Sequence, residues 1–179
     1  MIIGFAGKKQ AGKSTAANFL VDQGYIRHSF ADPLRDMANV LMKALGFSEA
    51  DIKHYYDYKE SPILGVNTSM RYLLQTLGTE WGRAHIDPDV WVKCEQKRLE
   101  KLFPEERVVY DDVRFEDEAA LIRSYGGLIV HVKRPGWQQD DEHVSESGIV
   151  VAKGDVILDN CSNLGLLLDE VLALVDRVA

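Results

Sequence analysis

Nine residues near the start of the chain, GKKQAGKST at positions 7 to 15, combine two glycines with three lysines and two hydroxyl groups. The spacing Gly7-x-x-x-x-Gly12-Lys13-Ser14 is that of a phosphate-binding P-loop. Glycines let backbone N–H groups turn inward around phosphate oxygens, and the following helix points its positive end at them. In such a loop Lys13 reaches the β- and γ-phosphates, and Ser14 ligates Mg²⁺. The stretch therefore predicts a nucleoside triphosphate site with Mg²⁺, rather than a plain glycine-rich turn.

A second group of polar side chains could hold an acceptor anion. Arg35 lies one turn into the helix predicted after the second strand, and Arg71 and Gln75 lie one turn apart on a later predicted helix. Arginine offers a two-pronged fork to phosphate, and a glutamine amide can read a base edge with one donor and one acceptor. Gly78 and Gly82 continue the same stripe, which would leave room beside these side chains. The alternative is an ordinary solvated helix face.

Charged residues also follow the third and fourth predicted strands. Either Asp111 or Asp112 is placed to hold Mg²⁺ through water or to orient the attacking oxygen, and Arg114 could neutralise a transferring phosphate. Arg134 stands at the root of a polar loop, about 134–150, that we expect to close over the phosphates as a lid. The alternative for Asp111, Asp112 and Arg114 is a pair of helix-capping aspartates followed by a surface arginine.

These residues need a scaffold in which strands and helices alternate. Short apolar runs predict five strands, at 1–6, 25–30, 107–111, 127–133 and 155–160. Helical spacing predicts helices at 14–23, 32–45, 69–83, 89–102 and 115–125, a last helix from Ser162, and a short helix with loop over 47–67. Such alternation is typical of an α/β protein, here a five-stranded parallel sheet with helices on both faces. Ligands bind beyond the carboxyl ends of such strands, so the residues after strands one to four are the candidates for the site.

The same spacing predicts which helix residues pack inward. On the first helix these are Ala17, Leu20 and Val21. An apolar stripe runs from Met70 to Trp81 on the helix over 69–83. On the last helix the inward residues are Leu164, Leu167, Leu168, Val171, Leu172 and Val175.

The chain of 179 residues is long enough for one domain with a full core. We therefore predict a single P-loop domain over 1–179. Its core would comprise 1–46 and 104–179, with a helical acceptor-binding region at about 47–103 and the short lid at about 134–150.

The composition of the chain limits the kinds of partner that it could bind. The net charge of −7 disfavours a general nucleic-acid binder, which would show a basic face or tail. The two cysteines, Cys94 and Cys161, are far apart and are typical of reduced thiols in a cytosolic protein. No apolar run is long enough to span a bilayer, so no membrane partner is expected.

Sequence motifs also distinguish between the classes of P-loop protein to which the chain could belong. A GTPase switch would need Asp-x-x-Gly and Asn-Lys-x-Asp motifs, and neither occurs in the chain. A motor ATPase usually needs a longer chain. A small-molecule kinase fits both the length and the second set of anion-binding groups.

At this point the chain resembles the deoxynucleoside monophosphate kinases encoded by tailed bacteriophages, which share the nucleoside-monophosphate-kinase P-loop fold. The resemblance covers nearly the whole chain. It rests in order on GKKQAGKST, FADPLRDM, KESP, RYLLQTLGTEWGR, DPDVW, DDVRFEDEA, VKRPG and DEHVSE.

The resemblance implies phosphoryl transfer from ATP to a deoxynucleoside monophosphate, giving the diphosphate and ADP. By position, Lys13, Ser14 and Thr15 would bind the ATP phosphates and Mg²⁺, and Arg35, Arg71 and Gln75 would face the acceptor. Asp112 and Arg114 match the family's aspartate and arginine, and Asp111 is an extra acid. The family often has Pro-Asn where this chain has Glu116-Asp117.

We expect in-line transfer without a covalent enzyme intermediate, since the acceptor's phosphate oxygen is already an anion and needs no general base. Two other functions stay open: a kinase of the same fold acting on dephospho-coenzyme A or a sugar acid, and a non-catalytic ATP-binding regulator. A cytoplasmic location is expected, in the host cytoplasm if a phage encodes the chain, and a homodimer is left open.

Overall fold

The structure, a computed structural model, describes residues 1–135, 149–160 and 164–178. It divides into two compact units. The sheet unit comprises Met1–Phe30 and Gln96–Ala179, and the helical unit comprises Ala31–Glu95. Most of the predicted lid and the predicted helix start at Ser162 lie outside the described residues.

Within these residues the elements follow the predicted alternation. The strands are β1 Ile2–Ala6, β2 Ile26–His28, β3 Val108–Val113, β4 Leu128–Lys133 and β5 Val156–Asp159. The α-helices are α1 Lys13–Asp22, α2 Asp32–Ala44, α3 Glu49–Asp57, α4 Met70–Gln75, α5 Val90–Leu102, α6 Glu116–Ser124 and α7 Leu164–Val178. A π-helix, Thr76–Ile86, continues from α4. None of the described helices combines the length and the apolar character needed to cross a membrane.

The five strands form one parallel sheet in the order β2-β3-β1-β4-β5. The central strand β1 pairs on one side with β3, where Ile2 lies opposite Val108, and on the other with β4, where Ile3 lies opposite Leu128. The loop after β1 therefore emerges at the middle of the sheet's carboxyl edge.

Both faces of the sheet are covered, which confirms the predicted fold class. Ile3 and Phe5 belong to a buried cluster with Leu20 of α1 and residues of α7. Gly4 points to the other face, where a Cβ would lie 2.7 Å from Cδ1 of Ile122 on α6. The glycine thus lets α6 approach the sheet closely, while α1 and α7 cover the opposite face.

Two residues predicted to pack inward in the sheet unit are exposed instead. Val21 lies about 100° round α1 from Leu20, outside the narrow buried stripe of that helix. Leu164 is exposed because it lines a cavity beside the loop after β1. On the same helix Leu167 and Val171 are buried, as predicted.

The helical unit has its own apolar core. Ala38 and Met42 of α2 form a buried cluster with Ile52 and Tyr55 of α3, and Met70 at the start of α4 completes it. Tyr55 therefore packs into this core.

The single α-helix predicted over 69–83 is wrong beyond Gln75. The chain there widens into the π-helix, whose hydrogen bonds join each N–H to the carbonyl five residues earlier. The α-helical stripe consequently ends at Gln75, and Trp81 is 42% exposed rather than packed inward.

Candidate active site

The two glycines of the P-loop are required by the backbone. Gly7 has a φ of 135°, and a Cβ there would lie 2.3 Å from the carbonyl oxygen of Val132. Gly12 has a φ of 110°, and a Cβ there would lie 2.7 Å from Nδ2 of Asn160. Residues with side chains rarely adopt such φ values, and the neighbouring chain leaves no room for one. The close approach of β4 and of Asn160, the residue after β5, therefore requires glycine at positions 7 and 12.

Lys13 is folded back on to this loop. Its Nζ donates hydrogen bonds to the carbonyl oxygens of Gly7, at 2.7 Å, and Lys8, at 2.8 Å. Burial, together with the nearby guanidinium of Arg114, lowers the pKa of Lys13 to about 8, although two carboxylates on β3 oppose the shift. An anion entering the loop would favour the charged ammonium, because neighbouring opposite charge raises the pKa of a lysine.

The two neighbouring aspartates lie inside β3, which ends at Val113 and so extends beyond its predicted end. Alternation along the strand gives them different surroundings. The Ser14 hydroxyl donates to Oδ2 of Asp111 at 2.6 Å, and Arg27 forms an ion pair with the same oxygen. Asp111, which is buried, thus ties the start of α1 to β2 and β3.

Asp112 interacts with the end of β2 instead. The Ser29 hydroxyl donates to its Oδ2, and the backbone N–H of Phe30 donates to its Oδ1 at 3.3 Å. Asp111, by contrast, accepts a hydrogen bond from Ser14, a side chain of the P-loop.

The donor set beside the loop is small but suits Mg²⁺. Among the described residues, no cluster of three or more His, Cys, Asp or Glu could hold a metal ion. In the same part of the chain, Oδ1 of Asp111 accepts no hydrogen bond. Mg²⁺ in nucleotide sites keeps several waters and takes one or two protein oxygens plus phosphate oxygens. The Ser14 hydroxyl and the Asp111 carboxylate fit that pattern.

Two arginines flank the loop from the ends of β3 and β4. The backbone N–H of Arg114 donates to Oε2 of the buried Glu118 at 2.8 Å, which orders the turn into α6. Arg134 is exposed, and its Nη1 lies 3.4 Å from the carbonyl oxygen of Gln10. Arg114 also lies close enough to lower the pKa of Lys13, and Arg134 lines the same cavity as Lys13, so both predicted arginines are near the P-loop.

The sequence analysis missed Asn160, which follows β5. Its side-chain amide donates to the carbonyl oxygen of Ala11 at 2.9 Å, and its backbone N–H donates to that of Lys133 at 2.7 Å. It thus braces the P-loop from the far edge of the sheet. Its position at the carboxyl end of a strand was a usable signal, although the predicted site residues follow only the first four strands.

A cavity of about 380 Å³ opens beside the loop. It is lined by Lys13, Ser14 and Thr15, by Arg134 and Asn160, and by leucines of α7. Cationic and hydroxyl groups thus lie at one part of its wall, and apolar side chains at another. Such a wall suits a ligand that carries both phosphates and an aromatic base.

The helical unit carries the residues predicted to face an acceptor. On α2, Arg35 pairs with Asp32 at 2.8 Å, and its backbone carbonyl accepts a hydrogen bond from the Tyr56 hydroxyl at 3.2 Å. On α4, Arg71 forms an ion pair with Glu60. Gln75 is half-buried, and its amide has no hydrogen-bond partner in the described part of the chain.

The predicted role of the two glycines after Gln75 is wrong. A Cβ on Gly82 would lie 2.2 Å from the Trp91 ring, and a Cβ on Gly78 would lie 3.2 Å from Cδ1 of Leu34. The space beside both glycines is thus filled by protein side chains. They permit close packing within the helical unit rather than leaving room for a ligand.

A five-stranded parallel sheet of this order, with a P-loop after its first strand, defines a P-loop nucleotide-binding protein of the α/β class. The chain belongs to the deoxynucleotide monophosphate kinase family, whose model matches residues 38–171.

Relatives agree with that assignment. A putative deoxynucleotide monophosphate kinase of Acanthamoeba polyphaga mimivirus is 31% identical, over all of this chain and 98% of its own length. The deoxynucleotide monophosphate kinases of Escherichia phage RB69 and Enterobacteria phage T4 are each 30% identical, over 70% and 58% of this chain. The matched parts are 53% and 44% of those two phage proteins, so the chain spans about half their length.

Among solved structures, TT1252 from Thermus thermophilus has a similar fold, with a TM-score of 0.51 and 19% identity. The match covers all of this chain and 98% of that one. At this identity the likeness concerns the fold alone.

Proposed function

We propose that this protein transfers the γ-phosphate of ATP to the phosphate of a deoxynucleoside 5′-monophosphate, giving the diphosphate and ADP. The observation that carries the proposal is the complete P-loop, with Lys13 held at the loop and Ser14 hydrogen-bonded to Asp111. Membership of the deoxynucleotide monophosphate kinase family supports the choice of acceptor.

The donor site is the P-loop and the cavity beside it. Lys13, Ser14 and Thr15 bind the phosphates of ATP, and the backbone N–H groups of Gly7 to Gly12 surround them. On binding, the Lys13 ammonium exchanges its two loop carbonyls for phosphate oxygens. The apolar wall from α7 packs against the base.

Ser14 and Asp111 hold Mg²⁺, which supplies charge neutralisation at the phosphates when bound. Asp112 orients the end of β2. By resemblance Asp112 matches the family's aspartate, whereas the hydrogen bond from Ser14 favours Asp111 as the residue on the metal side.

Arg35, Arg71 and Gln75 bind the acceptor. The two guanidinium groups hold phosphate oxygens in exchange for their present carboxylate partners, and the free amide of Gln75 reads the base edge. This arrangement favours an acceptor that carries both a phosphate and a base, because a sugar acid has neither and dephospho-coenzyme A accepts at a neutral ribose hydroxyl rather than at a phosphate.

The transfer is in-line and has no covalent enzyme intermediate. The acceptor's phosphate oxygen attacks the γ-phosphorus while Lys13, Arg114 and Arg134 stabilise the negative charge spread over the transferring group. The attacking oxygen is an anion, so no side chain needs to remove a proton. The lid, the cytoplasmic location, the absence of nucleic-acid partners and a homodimer stay predictions.

The first experiment measures ADP release from Mg-ATP with each of the four deoxynucleoside monophosphates, beside Lys13→Ala. Lys53→Ala, which removes an exposed lysine paired with Asp57, serves as the matched control. We expect turnover with at least one acceptor, at least a hundredfold slower in Lys13→Ala and unchanged in Lys53→Ala.

If ATP binds but no deoxynucleoside monophosphate accelerates ADP release, the proposal fails. Turnover with dephospho-coenzyme A or gluconate would then favour the other kinases of this fold. Binding without any turnover would favour the regulator.

A further inference from the structure

Trp91 fastens the π-helix of the helical unit. This side chain is buried, and its indole Nε1–H donates a hydrogen bond to the carbonyl oxygen of Gly78 at 2.8 Å. Its ring lies directly against Gly82, where a Cβ would approach Cζ2 to 2.2 Å and Cε2 to 2.6 Å. One side chain therefore touches two consecutive turns of the π-helix.

A tight connection brings Trp91 back to this position. The backbone N–H of Asp87 donates to the carbonyl oxygen of Gly82 at 3.0 Å, which closes the last turn of the π-helix. The Asp87 carboxylate then accepts from the backbone N–H of Asp89 at 2.8 Å and from Lys93 at 2.5 Å. The chain reverses over these residues, so the first turn of α5 returns on to the π-helix.

The π-helix needs such support. Its geometry is rare, and it usually occurs as a single widened turn rather than over eleven residues. If Thr76–Ile86 returned to α-helical hydrogen bonding, the segment would turn about its axis and Gly82 would leave the indole. The close fit at Gly82 and the hydrogen bond at Gly78 are therefore specific to the wide form.

The fastened segment is continuous with the acceptor residues. Gln75 is the last residue of α4 and the residue that immediately precedes the π-helix. Arg71 lies one turn earlier on the same helix. A change of register after Gln75 would alter the direction of its side chain first and that of Arg71 next.

We propose that Trp91 is a positioning residue for acceptor binding, acting by holding the π-helix and hence the orientation of Gln75 and Arg71. The proposal rests on the proposed function, in which these two side chains bind the deoxynucleoside monophosphate. Trp91 itself does not touch the reacting atoms.

The first measurement is amide hydrogen exchange of the free protein, which needs no substrate. Trp91→Phe keeps an aromatic ring but removes the indole donor, and Trp81→Phe makes the same change at the exposed tryptophan next to it. We expect faster exchange over 76–86 in Trp91→Phe and no change in Trp81→Phe. Unchanged exchange in Trp91→Phe would overturn the fastening role.

The second measurement separates positioning from plain destabilisation. In Trp91→Phe we expect the KM for the deoxynucleoside monophosphate to rise about two- to tenfold, the range that one net hydrogen bond supplies. The KM for ATP and the kcat at saturating acceptor should stay within twofold of the wild type. Equal changes in both KM values, or a loss of kcat alone, would contradict positioning of the acceptor.

Gly82→Ala is a second variant, which is needed if the phenylalanine ring in Trp91→Phe still packs against Gly82. Its added methyl would displace the indole, so exchange and acceptor KM should move in the same direction as in Trp91→Phe. Unchanged acceptor KM together with faster exchange would overturn the positioning role and leave only a structural one. Absence of turnover with every acceptor in the wild type would instead sink the proposed function, and the acceptor role of Trp91 with it.

Discussion

At the scale of single residues, two adjacent aspartates on β3 have different partners because a strand turns successive side chains to opposite sides. Asp111 accepts from Ser14 at 2.6 Å and pairs with Arg27, so it belongs to the P-loop. Asp112 accepts from Ser29 and from the N–H of Phe30 and so belongs to the end of β2. Adjacency in the sequence thus does not mean a shared role.

We therefore predict that substituting Asp111 and substituting Asp112 have different effects on the Mg²⁺ concentration that activity requires. Asp111→Asn should raise the Mg²⁺ concentration for half-maximal activity by about tenfold, because a neutral amide is a much weaker ligand for a hard cation. Asp112→Asn, the matched control, should leave that concentration within twofold. Mg²⁺ titration of ADP release decides between them, and a larger shift in Asp112→Asn than in Asp111→Asn would assign the metal to Asp112.

At the scale of elements, a buried carboxylate joins β4, β5 and α6. Asp155, just before β5, accepts from Arg123 of α6 at 2.6 Å and from His131 of β4 at 2.9 Å. It also accepts from the backbone N–H of Ala152 at 2.8 Å. The chain just before β5 is therefore tied to β4 and α6 by one side chain.

This carboxylate predicts how stability falls in acid. Burial alone would raise the pKa of Asp155, but the hydrogen bonds from Arg123, Ala152 and His131 outweigh it and lower the pKa from 3.8 to about 2. A pKa depressed in the folded state gives stability that is complete above pH 4 and is lost as the pH falls towards 2. The full contribution is about 2 kcal/mol, at about 1.4 kcal/mol per pKa unit.

Denaturant unfolding between pH 5 and pH 2.5 measures this effect. The free energy of unfolding should fall more steeply with acid in the wild type than in Asp155→Asn, whose amide does not titrate. If the free energy of unfolding fell equally with pH in the two proteins, protonation of Asp155 would not be the cause of the loss of stability in acid. Asp57→Asn, at an exposed ion pair with Lys53, is the matched control and should follow the wild type.

At the scale of the whole molecule, the two compact units carry different parts of the predicted site. Met1–Phe30 and Gln96–Ala179 hold the P-loop, Asp111 and the flanking arginines, whereas Ala31–Glu95 holds Arg35, Arg71 and Gln75. This division differs from the predicted one, in which the acceptor region began at about residue 47, because α2 packs into the helical core.

We predict that the two substrates protect different units from amide exchange. A non-hydrolysable ATP analogue with Mg²⁺ should slow exchange at 7–15, and a deoxynucleoside monophosphate should slow it in α2 and α4. Protection follows binding, since a ligand at a hundred times its Kd stabilises the state that binds it by about 2.7 kcal/mol. Lys13→Ala should lose the first effect and keep the second, and acceptor protection confined to the sheet unit would contradict the division.

The sequence by itself determined the features whose signal is local. The P-loop spacing, the five apolar strands and the helix that begins at Asp32 are each read within one short window, because strand and helix periods repeat every two or 3.6 residues. Both glycines of the loop and both flanking arginines were found in this way. The family resemblance reached the same fold from longer blocks of residues.

Only the tertiary structure decided which distant residues meet. Asn160 reaches Ala11 and Asp111 reaches Ser14 because strand order and register bring their ends together, and no local period encodes that order. Likewise the helix after Gln75 follows α-helical spacing in sequence, yet the indole of Trp91 on Gly82 holds it in the wider form. Local patterns determined the elements, and long-range packing determined their final geometry and the partners of each site residue, because packing outweighs the small differences in backbone preference.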